Sequence, residues 1–120
     1  MYVQGFLLAV PADKKGDYQE MAAMAWPKFK SYGALETVEA WEADVADGKV
    51  TDFRMATKAQ DGEKIVFSWI IWPDKATCDA AAEKMMNDPD FAEGMPEMPF
   101  DGMRMMWGGF EPILSEGRND

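Results

Sequence analysis

Gln4, Glu39, Ser68 and Arg104 are polar residues set in stretches that are otherwise apolar, and Trp41, Trp69 and Trp107 fall beside them in the same patterns. A carboxylate that can take a proton, a guanidinium that can hold an anion and aromatic walls are the parts of a pocket for a small apolar or aromatic molecule. Buried polar groups need partners. Glu39 and Arg104 are therefore expected to pair as the catalytic or gating residues, with Gln4, Trp41, Ser68, Trp69 and Trp107 lining the ligand site. If no bond is made or broken, the chain is a small-molecule-binding protein with a cleft lined by Trp and Met. If Glu39 acts as a base and Arg104 stabilises a developing enolate or phenolate, it is a cofactor-independent oxygenase or isomerase. A third reading has no pocket, only a structural or partner-binding dimer that uses its acidic second half as a contact surface. The bland role of the same residues is to bond backbone at a strand edge or a dimer rim.

Other constellations carry less. Glu36 and Glu39 are three apart on an expected strand, so they fall on opposite faces and make no acid–base dyad. Asp101-Gly102 reads as a turn in which the carboxylate bonds its own backbone. Gly108-Gly109 lacks the spacing of a dinucleotide loop, and a bulge or a close backbone approach explains it better. Of the 11 methionines, Met85-Met86, Met95, Met98, Met103 and Met105-Met106 cluster in the second half. Soft-metal sites add Cys or His, so Met here fills core or an adaptable pocket, and no metal is expected. Cys78, on an apolar helix stripe, is expected to be inert.

The chain of 120 residues contains no histidine. Imidazole-dependent nucleophiles, His-ligated zinc and His-ligated haem are closed to it, and no cofactor is expected. Charge excludes further classes. The 12 Lys+Arg against 22 Asp+Glu give a net charge of -10. Residues 1–60 hold 9 acids and 7 bases, whereas residues 61–120 hold 13 acids and 5 bases. With no basic stripe, nucleic acid and anionic membranes are not expected partners. The longest apolar runs, Phe6 to Pro11 and Ile65 to Pro73, are too short to span a bilayer. Met1 to Gly5 lacks the basic start of a secretory leader, and a single cysteine suits a reducing compartment, so a cytoplasmic location is expected.

The elements that position these residues follow from periodicity. Tyr2 to Val10 reads as a strand ended by Pro11. Tyr18, Met21, Ala22, Ala25, Phe29 and Tyr32 form one helical stripe, with Gly33 as the C-terminal cap. Pro27 lies opposite that stripe and should bend the helix without stopping it. Leu35 to Trp41 alternates as a strand, and Asp44 to Asp61 is a polar connection with a short extended stretch at Val50 to Met55. Glu63 to Trp72 is the most informative segment. Ile65, Phe67, Trp69 and Ile71 share one face, while Val66, Ser68, Ile70 and Trp72 share the other, so both faces want burial. Asp74 caps a second helix with the stripe Cys78, Ala81, Ala82 and Met85, stopped by Asn87-Asp88-Pro89. Residues 88–99 suggest a loop with one helical turn around Phe91. Phe100 to Ile113 returns to an extended pattern interrupted at Gly108-Gly109.

The order β-α-β-β-α-β is that of a ferredoxin-like α+β domain, an antiparallel sheet with two helices on one face. It occupies residues 1–114 as a single domain, with residues 115–120 as a frayed tail. Two helices cover one face only. The second apolar face is expected to be covered by the same face of another copy, giving a homodimer packed sheet against sheet.

Gly33-Ala34-Leu35-Glu36, Val66-Phe67-Ser68-Trp69, Met98 to Gly102 with Arg104-Met105, and Gly108-Gly109-Phe110-Glu111 resemble the signature of the YbaA-like proteins, an uncharacterised bacterial family. The likeness runs from Met1 to about Ile113. It implies a member of the dimeric α/β-barrel superfamily, whose relatives include cofactor-free monooxygenases, lactone isomerases, haem peroxidases and amino-acid-sensing domains. That breadth selects no reaction.

Overall fold

The computed structural model describes residues 1–89 and 98–118. Strand β1 (Tyr2–Pro11) passes through a 3-10 turn (Ala12–Lys14) into helix α1 (Lys15–Ser31). Strand β2 (Glu36–Trp41), a short helix α2 (Phe53–Thr57), strand β3 (Glu63–Trp72) and helix α3 (Lys75–Met86) follow. A second 3-10 turn (Gly102–Arg104) leads into strand β4 (Met106–Phe110). The strands form one antiparallel sheet in the order β2-β3-β1-β4, so the molecule is a small α+β fold.

Local chemistry sets the boundaries. Helix α1 runs through Pro27 unbroken. It ends where Gly33 adopts a φ of 108°, a left-handed conformation that glycine takes without strain. Asp74 caps α3 by accepting from the Thr77 amide at 2.7 Å. In the connection expected to be extended at Val50 to Met55, α2 forms instead. Asp52 accepts from the amides of Gly48 and Met55 at 2.8 and 2.7 Å, which supplies the helix start that a short apolar pattern does not signal.

Pairing sorts the side chains into two faces. Tyr2, Phe6, Leu8 and Val10 of β1 stand beside Trp72, Ser68, Val66 and Lys64 of β3, and β2 adds Thr37, Glu39 and Trp41 to the same face. Helices α1 and α3 cover this face. Ile70 and Trp72 pack with Cys78, Ala81, Trp26 and Phe29, while Leu8, Val10 and Val66 pack with Tyr18 and Met21. Cys78 is thus core, and burial pushes its thiol up, as its place on the helix stripe implies. Ala82, expected on the same stripe, is exposed.

The opposite face is apolar and largely open. Val3, Leu7, Phe67, Trp69, Ile71 and Phe110 line a hollow of ≈ 750 Å³. Phe67 is 51% exposed and Phe110 61%. Among the described residues, one end is covered, where α2 seats Phe53 edge-on against Phe67 and buries Thr57. Strand β4 is shorter than expected, since residues 102–104 coil before it. Its glycines interrupt nothing. The register runs continuously from Val3↔Phe110 to Leu7↔Met106. At Gly109 a Cβ would come within 1.7 Å of the Tyr2 hydroxyl, so the pair is a close approach rather than a bulge. Residues 111–118 carry no helix or strand, and the turn expected around Phe91 lies outside the described residues.

Candidate functional site

Edge strand β2 and the first half of α1 enclose a cleft of ≈ 510 Å³ on the helix-covered side of the sheet. Its walls are Tyr18 and Trp26 from α1 and Glu39 and Trp41 from β2, with Lys15 at the start of the helix. Alternation along β2 brings Glu39 and Trp41 to the same face, and the stripe of α1 turns Tyr18 toward them. Tyr18 donates to Glu39 Oε2 at 2.6 Å, and Ser68, the register neighbour of Glu39 across the β2–β3 pair, stands on the same face beside it. The Lys15 ammonium stands 5.6 Å from the centre of the Trp41 ring.

Electrostatics at this centre follow from partial enclosure. Removal of water raises the Glu39 carboxyl above its ordinary value, against the Tyr18 and Ser68 hydroxyls, which pull it down. Tyr18 is buried, and both that burial and the adjacent Glu39 push its phenol far up, so it stays a proton donor. Glu39 itself remains exposed along the cleft. A carboxylate offers about four acceptor directions, so the bond from Tyr18 leaves it capacity for a ligand.

The structure brings Glu39, Ser68 and Trp41 together, and it separates Arg104 from them. The expected Glu39–Arg104 pair does not form. Arg104 Nη1 and Nη2 each bond Glu63 at 2.7 Å, its Nε bonds Asp101 at 3.1 Å, and Nη1 also reaches the Lys58 carbonyl. Glu63 and Ser68 are five residues apart on β3, roughly 17 Å at the rise of a strand. The cause is local: Asp101 accepts from the Met103 amide and coils residues 102–104 into a turn, so Arg104 is not on the strand where alternation would have placed it. Gln4 serves the core by accepting from Trp72 Nε1 at 3.2 Å. Trp69 lies on the open face, and Trp107 stands beside Phe6 in register but is 65% exposed on the edge strand. Among the described residues, no methionine lines the cleft.

Trp26, Tyr18 and Lys15 are the functional candidates that sequence reading misses. Tyr18 was legible as core, and its hydroxyl was the available signal, since a buried phenol needs a partner. Trp26 sits one residue off the apolar stripe, and Lys15 reads as a solvated helix start.

The Glu63–Arg104 pair has a testable consequence for stability. The Arg104 guanidinium beside Glu63 holds its carboxyl below the usual range. A carboxyl depressed on folding stabilises above its unfolded titration range, and that contribution is lost as pH falls through its folded value. Arg104→Met is expected to lower the urea midpoint at neutral pH and to differ little from wild type in acid below the carboxylate range. An equal loss at both pH values would contradict the assignment.

Among the described residues, no helix is long and apolar enough to cross a membrane. Residues 1–102 match the model of the family described as "Protein of unknown function (DUF1428)". The chain is 61% identical over 115 residues to the uncharacterized protein YbaA of Escherichia coli K12, covering 96% of this chain and 98% of that protein. The Shigella flexneri YbaA matches to the same extent. Among solved structures, a protein of unknown function from Nitrosomonas europaea, NE2512, aligns over 99% of this chain and 95% of its own at 12% identity and a TM-score of 0.46. With its family model spanning most of the chain and its YbaA relatives spanning nearly all of it, this protein belongs to the DUF1428 family of unknown function.

Proposed function

We propose that the protein is a small-molecule-binding homodimer whose ligand, apolar or aromatic in its body, enters the cleft between α1 and β2. The observation that carries this reading is the meeting of Trp26, Trp41 and Tyr18 around one solvent-reachable carboxylate. Aromatic walls around a fixed carboxylate are the composition of a ligand site, because the rings bind by area and the polar group sets orientation. An oxygenase or isomerase that uses Glu39 as base and Arg104 as anion stabiliser is not supported, since Arg104 is held by Glu63 and Asp101. The cleft favours a binding role over a dimer that is structural alone.

The strand order β2-β3-β1-β4, with two long helices on one face, fits the ferredoxin-like βαββαβ arrangement. Paired through its open face, such a sheet makes a dimeric α/β barrel. Support for that pairing is the apolar patch of Val3, Leu7, Phe67, Trp69, Ile71 and Phe110, bordered by Glu111 and by Glu36 beside Ile71 in register, on a chain whose net charge is -10. A cytoplasmic setting is in keeping with the single buried thiol.

Titration of intrinsic tryptophan fluorescence with small non-fluorescent aromatic compounds tests the binding reading. At least one compound is expected to give a saturable change that Trp41→Ala weakens by tenfold or more. No saturable change with any compound, or one unaltered in Trp41→Ala, would overturn it.

A further inference from the structure

We infer that the ligand of the α1–β2 cleft carries a protonated amine, so that the site takes aromatic or aliphatic ammonium compounds in preference to neutral or anionic ones of the same shape. This rests on the cleft being the binding site. The first support is Glu39, a carboxylate exposed along the cleft and oriented from behind by the hydroxyl of Tyr18, with Ser68 beside it in register. Tyr18 donates to it without neutralising it. A cation arriving from the open side finds an oriented acceptor whose geometry is already set.

The second support is independent of Glu39. The Trp41 ring already has a cation over it, the Lys15 ammonium at 5.6 Å, which lies within the distance at which a ring quadrupole attracts positive charge. The protein's own side chain thus occupies the place a ligand ammonium would take on that ring. Lys15 is the first residue of α1 and its side chain can leave without disturbing the helix. An incoming amine would displace it and stand between the Trp41 face and the Glu39 carboxylate. Trp26 and Tyr18 would cover its apolar part. The overall charge of -10 draws cations toward the surface and repels an acid of the same shape.

Three compounds of matched shape separate the alternatives: phenethylamine, 2-phenylethanol and phenylacetate, each titrated at neutral pH by ligand-observed NMR. Phenethylamine is expected to bind at least tenfold more tightly than either of the others. Glu39→Gln, which keeps an acceptor for the Tyr18 hydroxyl, should remove that preference. Lys15→Met should instead strengthen the amine by a few-fold, since it vacates the Trp41 ring. This opposite sign distinguishes displacement from a merely structural role for Lys15. Equal or tighter binding of 2-phenylethanol or phenylacetate would overturn the amine class and leave the cleft as the site. Binding of none of the three, together with no response to other aromatic compounds, would overturn the cleft itself.

Discussion

Phe67→Asp is expected to convert the proposed homodimer to a monomer at micromolar concentration while leaving the fold intact. Phe67 stands in the middle of the open face, between the edge of Phe53 and the edge of Trp69, and half of it is exposed in a single copy. Its loss therefore costs one protomer little. In a sheet-to-sheet dimer the same position is buried, and the two-fold axis places the new carboxylate in the interface twice. An unpaired charge buried among apolar side chains costs several kcal/mol, so about a thousandfold weaker association is a conservative expectation. Sedimentation equilibrium reads the mass directly, and circular dichroism checks that the monomer keeps its secondary structure. A wild-type protein that is already monomeric, or a variant that remains dimeric, would remove the open face as the interface.

Trp72→Ala is expected to lower the unfolding free energy by about 4 kcal/mol. Trp72 is fully buried at the end of β3 and packs with Ile70, Cys78 and Ala81 beneath α1 and α3. Truncation leaves a cavity the size of an indole and deprives the Gln4 carbonyl of the Nε1–H that it accepts at 3.2 Å. Domains of this size are stable by about 5–15 kcal/mol, so the variant should sit close to its unfolding midpoint in mild urea. Trp72→Phe keeps most of the packing and loses the donor, and it should cost about half as much. A loss below about 1 kcal/mol for alanine would mean that the helices do not close over the sheet at this end.

These two positions show what the sequence could convey and why. Phe67 and Trp72 fall on opposite faces of a strand whose limits, Glu63–Trp72, are those expected from alternation. Strong two-residue periodicity, the Asp74 cap and the Gly33 stop are local signals, and local signals survive folding. Helix α2 was hidden because five residues are too few to display a stripe, and its start depends on the Asp52 carboxylate reaching back to Gly48. The site divided along the same line. Glu39, Trp41 and Ser68 converge because two paired strands carry them in fixed register. Arg104 failed to join because one turn of 3-10 helix removed it from the strand, and Glu63 then supplied a bidentate partner that no spacing rule foretells. Trp26 entered the cleft from the flank of a helical stripe, where pattern alone distinguishes core from solvent poorly.

Amide chemical-shift mapping with the tightest-binding aromatic compound tests the central claim most directly, because the α1–β2 cleft and the open sheet face both present aromatic side chains and the ligand is assigned to the cleft. Perturbations confined to Lys15, Tyr18, Trp26 and residues 37–41 are the predicted result. Perturbations centred instead on Val3, Phe67, Trp69 and Phe110 would place the ligand on the open face and contradict the account.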